Sequence, residues 1–157
     1  MHFGHANPKR EYKMRGQILE RTKDERDIGV KVTANLKQAA QCKKVAQTAQ
    51  TVLAQISRAF HFRDKKIFPG LYIQYVRPHM EFASPAWSPW TTADKEILEK
   101  VQRHAVGMIS GLNSNSYEEK LLDLEMETLE ERWHQIDMQQ AFKILLGQDK
   151  VDKSTWF

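Results

Sequence analysis

Hydrophobic positions recur with two different periods along this chain, and the change from one to the other near Val32 divides it. In the first third, Tyr12-Lys13-Met14 and Gln17-Ile18-Leu19 flank Arg15-Gly16. Glycine permits the positive φ of a tight turn there, so the spacing predicts a hairpin. The charged run from Arg21 to Asp27 reads as a loop. Ile28, Val30 and Val32 then alternate with Gly29 and Lys31, the pattern of a half-buried strand. Beyond Val32 the period becomes about 3.6. Cys42, Val45, Ala46, Ala49, Val52, Leu53, Ile56 and Phe60 recur at three and four, predicting a helix of roughly five turns. Asn35 is the expected cap, with Gln38 at the capping-box position.

The remaining boundaries follow from caps and prolines. Asp64 is a candidate cap for a helix through Ile67, Leu71, Ile73 and Val76, with Pro69 enforcing a kink or a late start. Pro78, Pro85 and Pro89 suit short helical turns between Arg77 and Trp90. Thr91 with Asp94, Ser116 with Glu119 and Thr128 with Glu131 each have capping-box spacing ahead of apolar periodicity. They open helices carrying Ile97, Leu98, Val101, Ala105, Met108 and Ile109, then Leu121, Leu122 and Leu124, then Leu129, Trp133, Ile136, Phe142 and Leu145. Gly111 and Gly147 are the expected stops of the first and third. The fold class is therefore α+β, mainly α: a short N-terminal β element followed by a helical bundle. The expected division is 1–35, 36–90 and 91–157.

Charge is uneven along the chain. Residues 1–80 carry 16 Lys and Arg against 6 Asp and Glu, whereas residues 81–157 carry 8 against 14. A basic half can hold a polyanion, and an acidic half repels one. The long helix has a second stripe, Lys37, Gln41, Lys44, Thr48, Thr51, Gln55 and Arg58, that is polar, mildly basic and free of acid. It is either a nucleic-acid surface or a solvated helix face.

Catalytic constellations are weak. His2 and His5 have His-x-x-His spacing, but no third ligand lies near them in sequence. The single cysteine, Cys42, sits on the apolar stripe and reads as a core residue. One cysteine allows no intrachain disulfide, which fits a reducing, intracellular setting. Glu118-Glu119 and Glu130-Glu131 stand where acids complement helix starts. Neither a glycine-rich phosphate loop nor an apolar run of membrane-spanning length is present. The segment Tyr75-Val76-Arg77-Pro78-His79-Met80-Glu81-Phe82, with Ala86-Trp87-Ser88-Pro89-Trp90, reads as a packed corner in which Arg77 and Glu81 pair across one turn. A platform for nucleic acid is the other reading.

The same residues carry a resemblance. Asp27-Ile28-Gly29-Val30, Leu71-Tyr72, the Arg77-Pro78-His79 to Phe82 block and Ala86-Trp87-Ser88-Pro89 are similar to segments of jockey-type non-LTR retrotransposon reverse transcriptases. So are Leu98-Glu99-Lys100-Val101-Gln102-Arg103, Gly111-Leu112, Ser116-Tyr117-Glu118-Glu119-Lys120-Leu121 and Phe142-Lys143-Ile144-Leu145, in order and over nearly the whole chain. The resemblance implies the end of the palm in Met1-His2-Phe3-Gly4, the primer-grip region in the hairpin around Gly16 and the strand at residues 28–32, and the thumb with its C-terminal extension from Leu36 onward. The chain departs from the family at Trp133-His134-Gln135 and His104, where basic residues are frequent, and at Ser110, where proline is.

In that family the paired aspartates that hold Mg2+ precede the segment resembled here, and no Tyr-x-Asp-Asp or Phe-x-Asp-Asp occurs in this sequence. Two-metal nucleotide addition needs those acids. The resemblance thus implies a fragment of an RNA-directed DNA polymerase, inactive alone, without a cofactor of its own. Residual binding of an RNA–DNA or RNA template–primer would be weak and sequence-independent. The expected surface is Lys37, Gln41, Lys44, Thr48, Thr51, Gln55 and Arg58, with Lys43, Arg63, Lys65 and Lys66 adding charge. The block Arg77, Pro78, His79, Glu81 and Trp87 is expected to be structural. Self-association is expected where β edges lack partners. The alternative is a non-enzymatic helical protein-interaction module derived from a mobile element.

Overall fold

A computed structural model describes residues 1–4, 6–112, 116–149 and 151–152, and these form an α+β fold that is mainly helical. Two separate two-stranded antiparallel ribbons open the chain. β1 (Lys13–Met14) pairs with β2 (Gln17–Ile18) through Arg15 and Gly16, both at positive φ, as a tight hairpin of this length requires. β3 (Asp24–Asp27) pairs with β4 (Val30–Thr33), placing Arg26 opposite Lys31.

The second ribbon corrects two sequence expectations. Residues 24–27 form a strand rather than part of a loop, because the ladder is made by the backbone while every side chain of Asp24–Asp27 stays exposed. Ile28 is 86% exposed at φ 43 in the turn, so its apolar side chain belongs to no strand face. Gly29, at φ 89, completes that turn.

The long helix α1 (Ala39–Ala59) starts later than its expected cap. Asn35 accepts hydrogen bonds from Lys37 N and Thr33 Oγ1, closing a turn instead of capping the helix, and Gln38 occupies the N-cap without a side-chain bond. Cys42, Val45, Ala46, Ala49 and Leu53 are buried. Burial, then the charge of Asp94, pushes the Cys42 thiol up to about 12, leaving it a small hydrophobe at neutral pH.

Next come α2 (Phe68–Leu71), a π-helical turn (Tyr72–Val76) and α3 (Arg77–Glu81), which run continuously. Pro69 lies in the first turn of α2, the late start the sequence implied. Pro78 lacks the N–H that an α-helix would use, and the wide turn before it closes with Arg77 N donating to Tyr72 O. The short helix α4 (Ser84–Trp87) follows Ala83, which sits at φ 53.

Three capped helices complete the fold. In α5 (Thr92–Gly107), Thr91 Oγ1 accepts from Asp94 N at 3.1 Å. Ser116 with Glu119 and Thr128 with Glu131 form full capping boxes at α6 (Tyr117–Asp123) and α7 (Leu129–Leu145). α5 stops short of Gly111, its last turn closing at Met108, whereas Gly147 (φ 70) follows α7 as expected. One apolar core, from Cys42 to Trp133, draws on both the 36–90 and 91–157 segments, with α1 packed on α5. Phe142 and Leu145 depart from expectation: they are exposed with Met138 and Leu146. At about 100° per residue, this set points away from Leu129 and Trp133, the two residues that bury α7.

A buried polar network locks the helices around α5. Gln102, with no exposed surface, accepts from Tyr72 Oη at 2.8 Å and donates Nε2–H to Glu127 O at 2.8 Å and Tyr117 Oη at 3.1 Å. Tyr117 Oη donates to Glu99 Oε1, and Leu129 N donates to Glu99 Oε2 at 3.0 Å. The Arg103 guanidinium lies 4.9 Å from the Tyr117 ring centre. Burial raises the Glu99 carboxyl above its ordinary value near 4.5, although both hydrogen bonds oppose the shift.

The folded chain therefore keeps the Glu99 proton at a pH where the unfolded chain releases it. This contribution is favourable in acid and is lost as pH rises from about 4.5 to the higher folded value. Glu99→Gln removes it. Stability of Glu99→Gln relative to the native chain is expected to climb with pH across that window, on top of a constant offset from the altered bonds. Urea midpoints between pH 4 and 8 check this, and a difference that stays flat would refute it.

Candidate nucleic-acid interface

The acid-free helix α1, roughly 30 Å long, carries the basic surface. Lys44, Thr48, Thr51, Gln55 and Arg58 form a solvent-facing ridge along it, at the spacing the sequence indicated. The Thr48 and Thr51 hydroxyls donate to Lys44 O at 3.1 Å and Gln47 O at 2.9 Å, so they offer an outside partner only acceptor lone pairs. Two members of the expected stripe lie elsewhere. Gln41 is 3% exposed, its Oε1 accepting Lys31 N–H at 2.7 Å, because it packs beneath β4. Lys37 precedes the helix, in the Asn35 turn.

The ridge separates two recesses. On one side, Lys43, Gln47, Gln50 and Thr51 face Lys100 and His104 of α5 across a floor of Ala46, Ile97 and Val101, in an open groove of about 690 Å³. Gln50 Nε2 lies 2.8 Å from His104 Nδ1. Beyond His104 the groove continues to Arg63, Gly107, Ser110 and Gly111. On the other side, Arg26, Gly29, Gln41, Lys44, Val45, Thr48, His79 and Phe82 enclose a pocket of about 220 Å³. Neither recess has an acidic lining residue, which is the electrostatic condition for holding a polyanion.

The other expected cations are partly committed. Arg63 donates to Ser57 O at 3.2 Å and Ser57 Oγ at 2.8 Å, tying the end of α1 to the following turn. Lys65 pairs with Asp123, which cancels its charge locally. Lys66 donates its backbone N–H to Asp64, and its side chain is exposed.

Within the Arg-Pro-His block, Arg77, Met80, Glu81 and Trp87 form a packed corner. Arg77 pairs with Glu81 at 3.3 Å, and Glu81 also accepts from Arg132 of α7 at 2.9 Å. Trp87 Nε1 donates to Phe82 O at 2.8 Å, and Trp133 Nε1 donates to Met80 O at 3.0 Å. His79 instead faces the smaller recess, exposed next to Pro78. Trp90, expected to fill this corner, is 82% exposed.

Among the described residues, no three His, Cys, Asp or Glu side chains gather as metal ligands. The His2 ring lies beside Tyr12, and His5 falls outside the described residues. No helix is long and apolar enough to cross a membrane among the described residues.

No protein-family model, curated protein or solved structure matches the chain. The interface therefore stands on its own geometry.

That geometry adds residues the sequence reading missed. Arg26 lies in a segment that reads as loop, because all four side chains of β3 are charged and exposed. Lys100 and His104 are four apart on α5, on one side of its buried face, but nothing in a linear pattern shows that this side meets Lys43.

Proposed function

We propose that the chain is the C-terminal part, comprising the end of the palm, the thumb and the C-terminal extension, of a jockey-type non-LTR retrotransposon reverse transcriptase, without the catalytic aspartates. In this reading, α1 grips template–primer by contacts to the backbone that ignore sequence. The supporting observation is the acid-free ridge of α1 between two acid-free recesses, with cations contributed by β3, α1 and α5. The ordered resemblance over nearly the whole sequence supports the family. The missing Tyr-x-Asp-Asp motif supports inactivity in nucleotide addition.

Fluorescence anisotropy with a labelled RNA–DNA duplex tests the reading. Affinity is expected to fall steeply with salt, and the double variant Lys43→Glu, Lys44→Glu should lower the log–log salt slope by about two. Primer, template, Mg2+ and nucleotides should yield no extension. Absent or salt-independent binding would rule out the grip, and extension by the pure chain would rule out the inactive fragment.

A second reading, a helical protein-interaction module derived from a mobile element, is favoured by one feature. Met138, Phe142, Leu145 and Leu146 form an exposed apolar stripe on the outer face of α7. Failure of the duplex measurement would leave this reading standing.

A further inference from the structure

The smaller recess has a donor set that a backbone-gripping ridge does not require. Gln41 lies at its base, 97% of its surface removed from solvent by the packing that leaves it 3% exposed. Its carbonyl end is identified by its partner: Lys31 N–H donates to Oε1 at 2.7 Å, so the amide nitrogen is the other end. That Nε2 has no hydrogen-bond partner among the described residues, and Gln41 lines the recess. At the base of the recess this amide is a neutral donor open to a ligand oxygen.

Two cationic side chains and an imidazole share the same space, each from a different element: Arg26 from β3, Lys44 from α1 and His79 from α3. None of the three side chains makes a hydrogen bond or ion pair among the described residues, and no acidic side chain lines the recess. Asp24, on the same face of β3 as Arg26, is occupied by Lys31 at 3.3 Å. The volume of about 220 Å³ fits a small anionic group rather than a whole drug-sized ligand. Two cations, an imidazole and a neutral amide donor exceed what one carboxylate needs, but suit a phosphate monoester, whose charge is about −1.5 to −2 at pH 7.

Phe82 supplies the last component. Its ring, 57% exposed, stands at the rim, with Cε1 3.1 Å from where a Cβ on Gly29 would lie. Gly29, at φ 89 and without a side chain, lets the hairpin turn approach the ring that closely. An exposed ring beside a phosphate seat is a surface on which a nucleobase can stack.

We propose that this recess binds a nucleoside 5′-phosphate, its phosphate held by Arg26, Gln41 Nε2, Lys44 and His79 and its base stacked on Phe82. The seat deepens the nucleic-acid reading, and rests on that reading for taking the ligand from the 5′ end of a strand.

Proton–nitrogen NMR of the full chain tests the seat with adenosine 5′-monophosphate, adenosine and inorganic phosphate as probes. The nucleotide should shift the Gln41 side-chain amide, the Arg26 and Lys44 backbone amides and the Phe82 amide. Inorganic phosphate should shift the first three only, and adenosine should shift none. Lys44→Ala, on the surface of a helix whose core it does not touch, should weaken the nucleotide about tenfold. Shifts confined to the α1–α5 groove, no shifts at all, or adenosine binding as well as its phosphate would overturn the proposal. Short oligonucleotides with 5′-phosphate and 5′-hydroxyl ends identify the source. Preference for the phosphorylated strand supports strand-end binding, and equal affinity alongside nucleotide binding supports a free nucleotide. Nucleotide binding here without duplex binding would defeat the grip and leave the seat. Duplex binding without nucleotide shifts would do the reverse.

Discussion

Replacing Gln102 with leucine is expected to lower stability by about 2–6 kcal/mol, a large share of the 5–15 kcal/mol that holds an ordinary domain together. The substitution keeps the bulk but leaves two groups without partners. The Tyr72 hydroxyl, buried under α5, loses its acceptor, and the carbonyl of Glu127 loses its donor. Each orphaned buried group costs about 1–3 kcal/mol, whereas Tyr117 Oη retains Glu99. A cycle with Tyr72→Phe isolates one of these terms. Once the hydroxyl is gone, adding Gln102→Leu should cost less than it does alone. Urea unfolding followed by circular dichroism measures all four proteins. A loss under about 1 kcal/mol for Gln102→Leu would mean that solvent reaches these groups and the network is not closed.

Trp133→Ala should cost about 3–5 kcal/mol, the range for deleting a large buried aromatic. Its placement suggests the upper end. Leu129 and Trp133 are the residues through which α7 is buried, and Trp133 also reaches back to Met80 O. Losing the indole removes both the packing and the hydrogen bond to the corner after the π turn. Trp133→Phe separates the two, keeping most of the ring but leaving Met80 O unpaired, at about 1–3 kcal/mol. Amide hydrogen exchange adds a second readout: in the alanine variant, α7 should open before α1 and α5. Similar losses for alanine and phenylalanine would show that packing contributes little.

The helical part of the fold was readable because its signals are local. Thr91, Ser116 and Thr128 each announce a helix start through a partner three residues on, and all three starts occur where they point. The hairpin at Arg15-Gly16 is equally local. What escaped depends on neighbours. β3 has no apolar residue to reveal its period, since its side chains face solvent and only backbone pairing with β4 defines it. Gln41 shares the spacing of the polar stripe, yet the hairpin folds over it. Phe142 and Leu145 continue the periodic pattern of α7 past the point where the core ends.

For the candidate interface, the ridge of α1 could be drawn from sequence, but its flanks could not. Arg26, His79, Lys100 and His104 reach it from other elements through tertiary packing. Phe82 and Gly29, fifty-odd positions apart, become neighbours only when the hairpin lies against α3.

The wide turn at Tyr72–Val76 explains an odd rhythm in the chain. Phe68, Tyr72, Val76 and Met80 are all buried, one at every fourth position. On a regular α-helix such a row winds around the axis by about 40° per step, some 120° over three steps, and its last member would face water. One surplus residue in the turn rewinds the row by about 100°, so a single strip of surface serves the core from end to end. A strict four-residue beat running into a proline is therefore a written sign of this irregularity, open to anyone scanning a sequence for a helix that does not keep ordinary time.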